Sequence, residues 1–464
     1  MAPLATLSLV TVPRHCRRTG VPRLLSLDRV TLLRSPHPRR TAIALLTASV
    51  VACTTPAADA VPAAAAHQTS QVVASPSIAT PPARSLATAT SATTSSSART
   101  STGASSADTL HNAPPPGVVR GIYVNRFAAE SPRKMRALIA LADSTEINAF
   151  VIDIKDEFGI NYTSADTLVR RNGGHGGVIA DLPALLDTLK AHHILPIARI
   201  VVFKDSVAAR VNPQWTIRTV DGAPWRDKKG LTWVNPYDQA LWEYDFRVAE
   251  DAARLGFAEI QFDYIRFPEP YKSLPMQVFP GAGDRRKPEV LAEFLRTARS
   301  RLDKYGVRTT ADIFGMVTSV PGALEVGQQW EQLAPHTDAL LPMVYPSHYP
   351  AGSFNVAHPN ADPYKVVFAA VSAAHKRDMA LGITGERVRP WLQAFTLGAP
   401  RYGPAELSAQ KRAVYDAGYQ GWVLWNPGSQ YQAVESGLAR KTPPPAATPA
   451  PTPAPAPAAA VTHD

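Results

Sequence analysis

The chain has 464 residues, a formal net charge of +10, 45% hydrophobic residues, 43 Pro and 2 Cys, a length that ordinarily divides into two or three domains. Every Phe, Trp and Tyr lies between residues 117 and 431, so one body of about 315 residues holds the core-forming side chains, enough for a single large core. Neither Cys lies in that body, which excludes a disulfide-stapled scaffold.

Residues 1–52 hold eight Arg against one acid, Asp28, and so carry +7 of the charge, leaving +3 for the rest. A nucleic-acid binder keeps its basic footprint in the folded part, so that class is excluded. Arg39-Arg40 leads into the short apolar run Thr41–Val51, then Val50-Val51-Ala52-Cys53. The run is too short to span a bilayer and has the shape of a secretory signal core. Its end resembles a bacterial lipobox, so Cys53 is expected to be lipidated and the protein anchored to a membrane outside the cytoplasm, or otherwise secreted. Residues 54–112 lack aromatics and read as a disordered Ala/Ser/Thr-rich spacer. Residues 441–464 form a Pro/Ala-rich disordered tail of extended character.

Residues 113–440 follow a different pattern. β-Branched and aromatic runs predict strands at 119–127, 149–155, 195–203, 259–267, 308–316, 339–345, 389–395 and 421–425. Helical apolar spacing predicts helices at 131–143, 182–192, 239–255, 288–305, 364–377 and 405–417. Eight strand–helix repeats in this length match a (β/α)8 TIM barrel. An open doubly wound sheet would want a Gly-rich phosphate loop directly after an early strand; Gly173–Gly177 follows no strand and reads as a plain loop.

In such a barrel chemistry sits at the C-terminal strand ends. Those ends carry Asp153, Lys155, Asp156 and Glu157; Arg199; Asp263 and Arg266; Asp312; Tyr345 and His348; Trp391 and Gln393; and Trp425. Flat rings that stack on sugar faces, mixed with carboxyls for acid and base or nucleophile work, fit the cutting of a sugar chain. The spread of aromatics over the last three strands hints at a long cleft. Asp263 and Asp312 are the expected catalytic pair. Asp153, Asp156, Glu157, Arg199, Arg266, Tyr345, His348, Trp391, Gln393 and Trp425 are the expected substrate-binding set. Asp153 and Lys155, two apart on one strand, are expected to share a face as a buried ion pair. No metal-ligand spacing and no Gly-x-Ser-x-Gly elbow is present, so neither metal nor cofactor is expected.

The runs RGIYVNRFA, NAFVIDIKDEFG, PIARIVVFKD, EIQFDYIRFP, TADIFGM, LLPMVYPSHY, RPWLQAF and GWVLWNP span residues 120–427 in order. Together they resemble the DUF4015 family of glycoside-hydrolase-like domains. That resemblance implies a TIM barrel related to glycosidases and says little about the sugar. The expected activity is hydrolysis of an extracytoplasmic polysaccharide by a two-carboxylate mechanism. The competing readings are a non-catalytic glycan-binding barrel of the cell envelope and another hydrolase, such as a deacetylase, on the same scaffold.

Overall fold

The computed structural model describes residues 117–441, apart from 175 and 176. The signal-like run with Cys53, the spacer and nearly all of the tail lie outside the described residues. Eight parallel strands form the body: β1 (Arg120–Val124), β2 (Ala149–Asp156), β3 (Leu195–Val201), β4 (Glu259–Asp263), β5 (Arg308–Phe314), β6 (Ala339–Val344), β7 (Trp391–Gln393) and β8 (Trp422–Trp425). Each pairs with the next, and β8 pairs with β1, so the sheet closes into a TIM barrel. A two-residue strand, Gly159–Ile160, folds back antiparallel on β2.

The six expected helices are present as Pro132–Ser144, Leu182–Ala191, Gln239–Leu255, Lys287–Leu302, Pro363–Ala380 and Pro404–Asp416. Their starts are written in the sequence. The Asp181, Asp238 and Asp362 side chains accept from the backbone N–H groups of Ala184, Ala240 and Lys365, and proline occupies the first turn of the helices that follow Asp181 and Asp362. The repeat between β5 and β6 departs from the pattern, with only a one-turn helix, Trp330–Leu333. Two strands are shorter than expected. β4 ends at Asp263 rather than Phe267 because Tyr264 is left-handed (φ 52°), which no strand continues through. β7 spans three residues, since Arg389 and Pro390 precede the regular ladder.

Alternation along the strands divides the core in two. Ile122, Phe150, Ile152, Ile200, Ile260, Phe262, Ile313 and Leu424 pack outward against the helices. Val151, Ile197, Leu341, Trp391 and Val423 point into the lumen. Polar side chains also occupy the lumen, in three tiers. At the N-terminal end Arg389 donates to Glu259 (2.7 Å), which also accepts from Thr310. Next comes Asp312 with Gln261 and Trp391, and above it Arg199 between Asp153 and Asp263.

The expected Asp153–Lys155 pair does not form. The β2–β3 register slips there: Asp153 opposes Arg199 while Lys155, two residues on, opposes Ile200. One extra residue on β2 flips the alternation, so Asp153 stays in the lumen and Lys155 turns away from it. Lys155 is fully buried and pairs with Asp205 (2.9 Å) and with Asp245 of the Gln239–Leu255 helix (3.1 Å). Burial pushes the Asp245 carboxyl up to about 7, partly offset by Lys155. Replacing Lys155 with Met would leave two buried carboxylates facing each other and should cost about 3–5 kcal/mol in urea unfolding at pH 7. A carboxyl whose folded-state pKa is raised takes up its proton more readily when folded, so acidification from pH 7 toward 4 favours the native state. Loss of Lys155 raises Asp245 further, so the Lys155→Met defect should be largest above pH 7 and shrink as pH falls toward 7.

Candidate active site

A cavity of about 230 Å³ opens at the C-terminal strand ends, lined by residues that include Arg199, Asp263, Tyr264, Arg266, Tyr345, His348, Trp391 and Trp425. Six strands contribute to its wall, the placement expected of a barrel active site. Asp263 ends β4 with its carboxylate held from two sides. Arg199 Nε donates to Oδ2 (2.9 Å), with Nη2 also engaged, and the Tyr264 backbone N–H donates to Oδ1 (2.6 Å). The left-handed turn at Tyr264 gives that N–H its aim, and such backbone conformations cluster at functional sites.

Arg199 also donates to Asp153 Oδ1 (2.5 Å), and Asp153 accepts from the Tyr123 hydroxyl. Burial works against the charge of Arg199, but Asp153 and Asp263 outweigh it and keep the guanidinium firmly protonated. Burial raises Asp153 to about 6, against the pull of Arg199. Asp312 lies in the tier below and is 1% exposed. It accepts from Gln261 Nε2 (2.8 and 3.0 Å) and Trp391 Nε1 (2.6 Å), and Arg199 Nε stands 4.0 Å away. Burial, and then the charge of Asp263, hold its carboxyl well above the usual range. One guanidinium cannot neutralise three buried carboxylates, so the excess is relieved by keeping a proton on the deepest one.

Rings form the rest of the wall. Trp425 stacks on Tyr123 (4.1 Å between centroids) and meets Trp391 edge-on (5.5 Å). Tyr345 meets His348 and Phe395 edge-on (5.4 and 5.8 Å). Burial raises the Tyr345 hydroxyl well above its ordinary value, with Asp312 and Asp263 adding to the shift, so it remains an O–H donor. Burial lowers His348, leaving a neutral imidazole at pH 7. Arg266 pairs with Glu269 (3.0 Å) and lies over Phe314 (4.5 Å).

The expected residues thus divide. Asp263, Arg199, Arg266, Tyr345, His348, Trp391 and Trp425 come together on the cavity wall. Asp153 and Asp312 lie behind them in the lumen. Asp156 is not on the wall: it accepts from the Phe158 backbone N–H (2.8 Å) and Asn161 (3.2 Å) and pairs with Arg126 (3.3 Å), holding the short hairpin. Glu157, half-buried, lends its main-chain carbonyl to Ser206, and its charge is felt at Tyr264. Gln393 is fully buried and accepts from the Ser347 backbone N–H (3.0 Å), shaping the wall from behind. Sequence reasoning missed Tyr123, Tyr264, Gly315, Met343 and Tyr349. Tyr123 and Met343 were within reach, since alternation from Gly121 and Leu341 places them in the lumen; Tyr264, Gly315 and Tyr349 depend on how the loops after the strands turn. Among the described residues no group of three His, Cys, Asp or Glu side chains could hold a metal ion.

The model of the family described as "Putative glycosyl hydrolase domain" (DUF4015) matches residues 121–431. The chain belongs to the DUF4015 family. Its glycosyl hydrolase domain is therefore the whole barrel. Among solved structures it is similar to a hypothetical protein from Ruminiclostridium thermocellum ATCC 27405, 37% identical over 41% of this chain and 96% of that one, with a TM-score of 0.38. The PgaB (BpsB) glycoside hydrolase domain from Bordetella bronchiseptica is 14% identical over 70% of this chain and 100% of that one, with a TM-score of 0.51. A class V chitinase from Pseudomonas fluorescens Pf-5 is 11% identical over 69% and 98%, with a TM-score of 0.43. No curated protein matches the chain. The likeness to the PgaB domain shows the shared barrel fold.

The DUF4015 run TADIFGM has a Gly that the cavity requires. A Cβ on Gly315 would stand 2.5 Å from the Met343 carbonyl oxygen and 2.3 Å from the Tyr349 hydroxyl. Main chain cannot give way cheaply, so Gly315→Ala should destabilise by about 1–3 kcal/mol in thermal or urea unfolding and displace the Tyr349 side of the wall.

Proposed function

We propose that this DUF4015 protein hydrolyses glycosidic bonds of a polysaccharide outside the cytoplasm, with Asp263 as the carboxylate that meets the scissile bond. The observation that carries the reading is the position of Asp263 on the wall of a ring-lined cavity at the strand ends, gripped by Arg199 and a main-chain N–H. Cleaving a glycosidic bond needs a carboxylate at the reacting carbon and a proton for the departing oxygen. Asp263, ion-paired to Arg199, is the carboxyl that reaches the cavity. The water that is consumed supplies both the hydroxyl that bonds to the sugar carbon and the proton that leaves with the departing oxygen. Asp312 lies beneath Trp391, away from the wall, its carboxyl held well above the usual range by burial and the charge of Asp263; it acts through Asp263 by setting the charge beside it, and so is a positioning residue. Trp425, Tyr345 and His348 offer faces and edges on which a sugar ring can seat.

The test is reducing-end release from a panel of bacterial envelope and exopolysaccharide glycans. Asp263→Asn should lower the rate at least about 100-fold with folding intact. The parent should lose activity at high pH as Asp312 gives up its proton, and Asp312→Asn, which is always neutral, should flatten that limb of the pH–rate profile. Binding of a glycan by the parent and both variants, with release by none, would replace this reading with a glycan-binding barrel.

The location rests on the basic and apolar run ending at Cys53. We propose that Cys53 carries the lipid anchor. Cys53→Ser should then move the protein from the membrane to the soluble fraction of fractionated cells, whereas unchanged membrane association would remove the anchor.

A further inference from the structure

A second cavity, of about 490 Å³, lies on the same face of the barrel, between the loops that follow β6 and β7. Its walls are mostly apolar, with Ala351, Ala357, Pro359 and Ala399 beside the polar His358 and Asn360, and Ser347 and Tyr349 close one side. Tyr349 also lines the active-site cavity, and its neighbour His348 does too. The single turn Pro346–His348 is therefore a saddle, with His348 facing the active site and Ser347 facing the second cavity.

This groove is built rather than incidental. Asn360 Nδ2 donates to the carbonyls of Leu397 (3.0 Å) and Ala399 (2.8 Å), tying one wall to the other. The Tyr402 hydroxyl donates to the Asn360 carbonyl (3.1 Å) from below. Buried Gln393 accepts from the Ser347 backbone N–H and so fixes the saddle from the end of β7. The segment between Ala351 and Ala357 holds two successive non-glycine residues, Phe354 and Asn355, left-handed at φ 54° and 60°. Asn enters that region readily, but a bulky Phe does so only where the surroundings impose it, and such residues collect at ligand clamps. A preformed groove with exposed Ala walls, an exposed His358 and a half-buried Ser347 matches the mixed apolar and hydroxyl surface of an unbranched sugar chain.

We infer that this groove binds the sugar units of a polymeric substrate that extend beyond the bond being cut, so the chain runs from the active site over the Pro346–His348 saddle. The inference rests on the hydrolase reading above, and its occupant follows from the shared Tyr349 wall: whatever leaves the cavity on that side enters the groove. The enzyme is then a polymer-acting one, whose specificity constant rises with chain length until the groove is full.

The test compares the full chain with Ala357→Trp and Ala399→Trp, which fill the groove from opposite walls. The probes are size-fractionated oligosaccharides of two and six units, prepared from the panel glycan that the parent cleaves. The parent should show a kcat/KM at least tenfold higher for the hexasaccharide than for the disaccharide, and both Trp variants should reduce that ratio to below twofold. A ratio near one in the parent, or a ratio that survives both substitutions, overturns the groove while leaving the hydrolase reading intact. Parent-like turnover by Asp263→Asn, with the length ratio still lost in the Trp variants, would instead overturn the Asp263 assignment and keep the groove.

Discussion

A buried cation holds this active site together. Arg199 rises from β3 inside the barrel, 4% exposed, and donates to carboxylates on both neighbouring strands. Removing any one of the three charges would leave another buried without its partner, which is costly at that depth. The three side chains come from three separate strands, so their charge balance exists only when β2, β3 and β4 are in register. The charge balance at the cavity and barrel closure at this point are the same interaction.

The tiers below show why the balance matters. Asp312 has no cation of its own, only N–H donors from Gln261 and Trp391 and a distant Arg199. It keeps a proton because the full charge of the tier above cannot be matched. Two carboxyls of one residue type thus meet different surroundings from position alone, one ion-paired to Arg199 and one held well above the usual carboxyl range by burial. The N-terminal pair Glu259–Arg389 is self-contained by contrast, and it packs the lumen far from the cavity.

The bulge in β2 separates the two electrostatic centres. Without it Lys155 would enter the lumen beside Asp153 and compete with Arg199 for the carboxylates. With it, Lys155 is exported to Asp205 and Asp245 and clamps the Gln239–Leu255 helix to the barrel. Strict alternation is the rule that predicted the wrong partner, and one inserted residue reverses it.

The barrel class, the six long helices with their caps and prolines, and the strand ends that carry Asp263, Arg199, Trp391 and Trp425 were legible in the sequence, because propensity, capping and period-two burial are local properties. Family membership was legible too, since motif order survives in the chain itself. The length of β4, the direction of Lys155, the withdrawal of Asp156 and Gln393 to supporting positions, and the arrival of Tyr349 and Gly315 at the cavity were decided only by the tertiary structure. Each depends on a left-handed residue, a register slip or a returning loop, and these are settled by contacts between segments far apart in sequence. Residue type told which side chains could perform chemistry; only closure of the barrel decided which of them face the cavity and which face one another.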